Sequence, residues 1–286
     1  MDLGLLASVL AALLWGGYLV ALKRYFSSYS ASVIIVVVHA VAIAVYAPVA
    51  LVRVPPGSIG ALAAGAPGLA VVVVANALAF MAFIRAIGTG EISYVAPISK
   101  IVPVFVLPIE VVFLGAYLTP LQIVGVVLAT VAVYVANFTG GSLLDPIRHA
   151  LGSPAAGFAL LSAALYAVGD VGRRVTLQEL ALPPELLVIG LLSGMALVLS
   201  PHAARTWDRV GDDWPAFLAA GTLVAAAEHL TALAFSLVPA SIASPIINTQ
   251  AIVAVVIGGL FLGETAFRTR LVAAVLAVFG VGLIAL

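Results

Sequence analysis

The chain has 286 residues, 64% of them hydrophobic and only 8% charged, against about 25% charged in a soluble globular domain; it cannot cover its own surface in water and reads as an integral membrane protein. Its formal net charge of zero offers no basic excess for nucleic acid. The lack of cysteine excludes disulfides, thiolate metal sites and cysteine nucleophiles together.

A membrane-spanning helix needs about 20 mostly apolar residues. Ten such segments follow in chain order, at roughly 3–22, 31–52, 67–87, 92–113, 120–138, 154–173, 184–200, 215–237, 240–262 and 268–286. Segment one has no basic leader and runs past the length of a signal peptide, so it reads as a retained helix. Breaks fall at Pro55-Pro56-Gly57, Gly88-Thr89-Gly90, Thr119-Pro120, Gly140-Gly141-Ser142, Pro183-Pro184, Pro201 and Trp214-Pro215, where turn chemistry interrupts the apolar runs. The loops between them are too short for a separate soluble domain. The runs are continuously apolar, not alternating, which excludes a transmembrane β-barrel and leaves an all-α protein with ten transmembrane helices.

Segment four is the most unusual. Residues 93–108 carry three prolines, Pro97, Pro103 and Pro108, and Lys100, one of only two lysines. A lysine inside a membrane segment costs about 2.5–3.5 kcal/mol on insertion scales, and proline frees backbone groups. A helix lining a polar cavity accommodates both.

The chain also resembles itself. A shift of 148 residues carries Ser93 onto Ser241, Pro97 onto Pro245 and Phe113-Leu114-Gly115 onto Phe261-Leu262-Gly263. A shift of 151 brings Leu14-Trp15 onto Leu165-Tyr166 and Lys23 onto Arg174. Segments one to five thus correspond to six to ten. Five is odd, so the second copy inserts upside down, giving an inverted-topology repeat with a site expected near the midplane.

Several motifs in order then resemble the ten-helix EamA-type members of the drug/metabolite transporter superfamily. Segment one carries L-L-W-G-G-Y and ends in Lys23-Arg24. Segment three passes into four as A-F-I-R-A-I-G-T-G-E-I-S-Y-V-A-P, and eight into nine as A-F-S-L-V-P-A-S-I-A-S-P. Leu262-Gly263-Glu264 ends segment nine, and Gly280-Val281-Gly282 lies in the last. One departure is Leu114-Gly115-Ala116, where the pattern expects Leu-Gly-Glu. The resemblance implies EamA-type repeats at 1–140 and 153–286, joined by a connecting loop at 141–152. It implies transport of a small metabolite, often export of amino acids or related compounds, by alternating access without a cofactor. The partners it implies are a small-molecule substrate and the lipid bilayer of the cell membrane.

Lys100 sits about seven residues into segment four, or about 10 Å deep at 1.5 Å per residue. Its repeat partner, Asn248, is equally deep from the opposite face, so the two are expected to flank the midplane and to bind a substrate carboxylate. Gln250, about 200° further around a continuous helix, ranks lower. Glu228 lies midway along segment eight; it is expected to bind a substrate amine or carry a coupling proton, or else to pair statically with Lys100. Neighbouring His229 is a candidate for that proton, against a packing role, and the family resemblance implies a peripheral place for His39. Trp15, Tyr18 and Tyr166 are expected to wall the cavity, with Tyr94 either there or anchoring at the interface. Asn76 either faces the cavity or bridges helices. Asp170 is explained by a local ion pair with Arg173 and Arg174, and Glu110 by the membrane interface. No metal-ligand spacing stands out. The spacing Gly190-x-x-x-Gly194 fits close helix packing within the chain or a homodimer face.

The distribution of Lys and Arg favours an external N-terminus, whereas the resemblance implies cytoplasmic termini, and the latter is taken as the expectation. Two other functions compete with transport. A lipid-carrier flippase would want a basic headgroup pocket, and Lys100 alone offers buried positive charge. An intramembrane enzyme would want paired catalytic groups such as HExxH or GxSxG, and neither is present; nor is a Walker A sequence for ATP use.

Overall fold

A computed structural model describes residues 2–55, 57–89, 95, 98–136, 153–207, 211–262, 267–284 and 286. The long apolar runs of the sequence become helices, and their ends are set by local chemistry. Asp2 starts α1 (Leu3–Tyr25), its Oδ1 accepting the Gly4 N–H at 2.7 Å. Lys23 and Arg24 lie in the last turn, where the helix dipole favours cations. Ser30 starts α2 (Ala31–Arg53), and α3 (Ile59–Thr89) follows.

After α3 the chain reaches α4 (Val102–Leu114), which ends at Gly115 in the left-handed conformation, φ 63°. Thr119 and Gln122 exchange hydrogen bonds at the start of α5 (Pro120–Ala136), satisfying N–H groups that a helix start leaves free. The second half holds α6 (Pro154–Arg174), which continues as a π turn over Val175–Glu179, then α7 (Pro184–Arg205) and α8 (Trp214–Leu237). Segment nine forms α9 (Ala240–Asn248) and α10 (Gln250–Leu262), and α11 (Phe267–Ile284) closes the chain. All regular structure among the described residues is helical.

Among the described residues, six helices are long and apolar enough to cross a membrane: α1, α2, α3, α6 with its π turn, α7 and α8. Large apolar side chains such as Val112, Phe113, Leu197 and Val278 point outward, as they do where lipid replaces water. The interior is built largely from Ala and Val, and Ala, with Gly at the tightest contacts, lets membrane helices approach closely. α5 meets α11 with almost no space between backbones. A Cβ on Gly125 would lie 2.6 Å from the Gly280 carbonyl oxygen. Gly190 and Gly194 seat α7 on α3: a Cβ at either would fall 2.4 Å from Leu69 or 2.6 Å from Val73. Their spacing therefore serves packing within the chain and not a dimer face.

Two segments expected as continuous helices are broken, at positions 148 residues apart. In segment four, Ile98 and Ser99 are helical, Lys100 is a turn, and α4 restarts at Val102. Pro103 explains this, because it lacks the N–H that would bond the Ser99 carbonyl and its ring crowds that group. In segment nine the interruption is at Thr249. Its Oγ1 donates to the Ile246 carbonyl at 2.6 Å and its N–H reaches the same carbonyl at 3.1 Å, diverting backbone bonding away from a regular helix. Lys100 and Asn248 thus sit at the two breaks.

Candidate functional site

The breaks face a cavity of about 370 Å³ between α1, α2, α3, α4, α6, α7, α8 and the α9–α10 junction. Of the residues expected there, Lys100, Asn248, Glu228, Trp15, Tyr18, Tyr166 and Asn76 all line it. His229 does not: its Nδ1 shares a hydrogen bond with the Tyr46 hydroxyl at 2.7 Å, which is the packing role. Tyr94 lies outside the described residues.

The aromatic wall is fixed by polar tips. Trp15 Nε1 donates to Thr231 Oγ1 at 3.1 Å, and its ring meets Tyr18 edge-on with centroids 5.7 Å apart. Asn76 Nδ2 donates to the Val72 carbonyl at 2.8 Å and packs where Gly169 leaves room on α6.

Among the described residues, four charged side chains line the cavity: Lys100, Arg173, Asp170 and Glu228. Glu228 does not pair with Lys100. Its carboxylate takes the Arg173 guanidinium in fork geometry, Nη1 to Oε2 at 3.2 Å and Nη2 to Oε1 at 3.4 Å, and both groups are buried. Asp170 does not pair with Arg173 or Arg174 among the described residues. Its Oδ2 accepts the Ser244 hydroxyl at 2.5 Å, and Asn248 Nδ2 donates to the Ser244 carbonyl at 2.9 Å. Asn248 Nδ2 also reaches the Ser244 hydroxyl at 3.3 Å, so a largely buried relay runs Asn248–Ser244–Asp170 from the helix break to α6. Lys100 makes no hydrogen bond or ion pair among the described residues. Once Arg173 and Glu228 neutralise each other, the cavity offers one ammonium and one carboxylate.

Four further residues line the cavity that sequence reasoning set aside. Tyr166, Asp170 and Arg173 stand at i, i+4 and i+7, one face of α6, a spacing that was readable. The helix also runs on through the π turn, so Arg173 lies deeper than an end at 173 suggests. His39 lines the cavity instead of the periphery, its Nδ1 3.3 Å from the Leu192 carbonyl oxygen. Gln250 lines it together with Asn248, because the break at Thr249 removes the continuous turn that would have pointed them apart.

Glu110, near the end of α4, is completely buried. Its Oε1 accepts the Ala240 N–H at 2.7 Å, and its Oε2 accepts the Ser241 N–H at 2.6 Å and the Ser241 hydroxyl. Arg174 Nε approaches the same carboxylate at 3.3 Å. The free N–H groups at the start of α9 thus find an anion, the arrangement a helix N-terminus favours.

The model of the EamA-like transporter family matches this sequence twice, over residues 2–138 and 153–286. No curated protein matches it. A solved chain, described only as the crystal structure of a protein, is similar with a TM-score of 0.79 and 16% identity, covering 99% of this chain and 98% of its own. At that identity the likeness shows the fold alone. With two family matches spanning nearly the whole sequence and six helices able to cross a bilayer, this chain is a multi-pass membrane protein that belongs to the EamA-like transporter family, within the drug/metabolite transporter superfamily.

Proposed function

We propose that the protein is a secondary transporter of a small polar or amphipathic metabolite that carries both a carboxylate and an amine, an amino acid or a related compound. Lys100 faces the carboxylate, Asp170 and the Asn248–Ser244 relay face the amine, and Trp15, Tyr18 and Tyr166 cover the apolar part. Transport proceeds by alternating access about two inverted five-helix halves, residues 1–140 and 153–286, with cytoplasmic termini in the cell membrane. Export is the direction carried over from the family resemblance.

One observation supports this reading above the others: Lys100 and Asp170 share a single cavity, and among the described residues neither is neutralised by an ion pair. An unpaired ion in a membrane interior is costly, and a substrate of complementary charges removes that cost when it binds. A flippase for an anionic lipid headgroup fits less well, because the cavity carries two carboxylates as well as two cations. Family membership weighs against an intramembrane enzyme.

The test is counterflow of labelled metabolites into liposomes containing the purified chain, screened over amino acids, nucleosides and cationic drugs. A transported amino acid whose flux is lost in Lys100→Ala and in Asp170→Asn, both still eluting as folded protein, is the expected result. Normal flux in both variants would remove the site from this cavity.

A further inference from the structure

Two consecutive arginines on α6 divide the bundle. Arg173 turns to the cavity and to Glu228, while Arg174 turns away, to Glu110 on α4 and to Glu179. Glu110 in turn holds the first two N–H groups of α9. One carboxylate thus ties together α4 of the first half with α9 and α6 of the second. Gln178, in the π turn, adds hydrogen bonds to the Phe235 and Val238 carbonyls at 2.8 and 3.0 Å, joining the end of α8 to the same cluster.

The cluster marks one end of the bundle. The start of α1 is there too, since a Cβ on Gly4 would lie 2.7 Å from Val238 Cγ1. The cavity reaches the other way along α1. It is lined by Trp15, Tyr18, Leu19 and Leu22, and Leu22 is about 27 Å from Gly4 at 1.5 Å per residue. It extends to Ala31, at the start of α2.

The sequence repeat makes this cluster one-sided. The shift of 148 residues that carries Lys100 onto Asn248 carries Glu110 onto Gly258, so no carboxylate stands at the corresponding position of the second half. At the far end the described cross-half bonds are of another kind. They are exposed or half-buried contacts, Tyr29 to Asp213 at 2.8 Å and Ser30 to Thr206 at 2.9 Å, which water competes for.

Resting on the alternating-access reading above, we infer that Glu110, with Arg174 and the N-terminus of α9, is the gate that closes this end of the transport path. The gate holds the chain in the state whose cavity extends toward the α1–α2 turn. For substrate to leave past the cluster, α4 must part from α9, and Glu110 must then give up both backbone N–H bonds and the arginine. Because the repeat supplies no second carboxylate, removing the first shifts the balance between the two states instead of loosening both ends equally.

The natural absence of cysteine makes a direct test simple. Two introduced cysteines carry spin labels in the full chain in lipid nanodiscs, and pulsed electron resonance reads their separation. One pair, Tyr117→Cys with Leu237→Cys, spans the cluster end. The other, Tyr25→Cys with Trp207→Cys, spans the far end. All four native side chains are exposed. In Glu110→Gln the cluster-end pair is expected to gain a longer distance and the far-end pair a shorter one. The alternative state should rise from a minor population, typically about 0.1–10%, to a major one. Ser241→Ala should shift both pairs in the same directions and by less, and it carries the test if Glu110→Gln does not fold. Unchanged distances at both ends overturn the inference. So does lengthening at both ends together, which would make Glu110 a structural cap alone. No substrate enters the measurement, so a failure to find any transported metabolite counts against the cavity assignment and leaves the gate result standing.

Discussion

Replacing Glu228 by glutamine leaves the Arg173 guanidinium buried without its counter-charge. Breaking one partner of a buried pair typically costs about 3–5 kcal/mol. Glu228→Gln should therefore lower the unfolding temperature in detergent markedly, and adding Arg173→Gln should recover much of the loss. An unchanged melting curve in the single variant would mean that the pair does not hold the wall together. At this scale the sequence exposed what was isolated and hid what was paired. Lys100 is conspicuous as a lysine in an apolar run, and it lines the cavity as expected. Arg173 and Arg174 follow Asp170 by three and four residues on one helix, a spacing that a local ion pair would explain. In the fold each turns to another helix: Asp170 to Ser244, Arg173 to Glu228, Arg174 to Glu110. Such pairings join positions far apart in sequence, and the spacing along one helix carries no record of them.

Elements come next, and here the breaks matter most. Gln250→Ala should weaken substrate binding in the cavity, read as a rise in half-saturating concentration in the counterflow assay. A continuous helix through 240–262 would predict no effect, since Gln250 would then turn away from Asn248. The close contact of α5 with α11 gives a stability prediction of its own. Gly280→Val places a side chain against Ala129 and Gly125 backbone atoms 2.7–2.9 Å away, and overpacking of this kind costs about 1–3 kcal/mol. A lower unfolding temperature checks it, and an unchanged one would show that the two helices can separate freely. Helix identities were legible because apolar runs bounded by Pro and Gly are long and uninterrupted. The interruption in segment four was partly legible through Pro103. That at Thr249 was not, because no proline marks it and threonine diverts the backbone only through a hydrogen bond made in the folded chain.

At the scale of the whole molecule, composition alone decided for the membrane, and the ordered motifs decided for the family, which two matches of the family model now show. The inverted arrangement of the halves and the identity of the substrate rest on the proposal. Its central claim is that one cavity holds the two ends of a zwitterion, with Lys100 at the carboxylate and Asp170 at the amine. The most direct test is competitive counterflow in liposomes. A transported amino acid competes there with its methyl ester, which lacks the carboxylate charge, and with its deaminated analogue. Hydrogen bonds to charged groups contribute about 1.5–3 kcal/mol, so the native chain should prefer the parent compound over either analogue by about tenfold or more. Lys100→Ala should lose the preference over the ester alone, and Asp170→Asn the preference over the deaminated analogue alone. If both variants keep the native preference against both analogues, the two ends of the substrate are not read by these residues, and the account of the cavity is wrong.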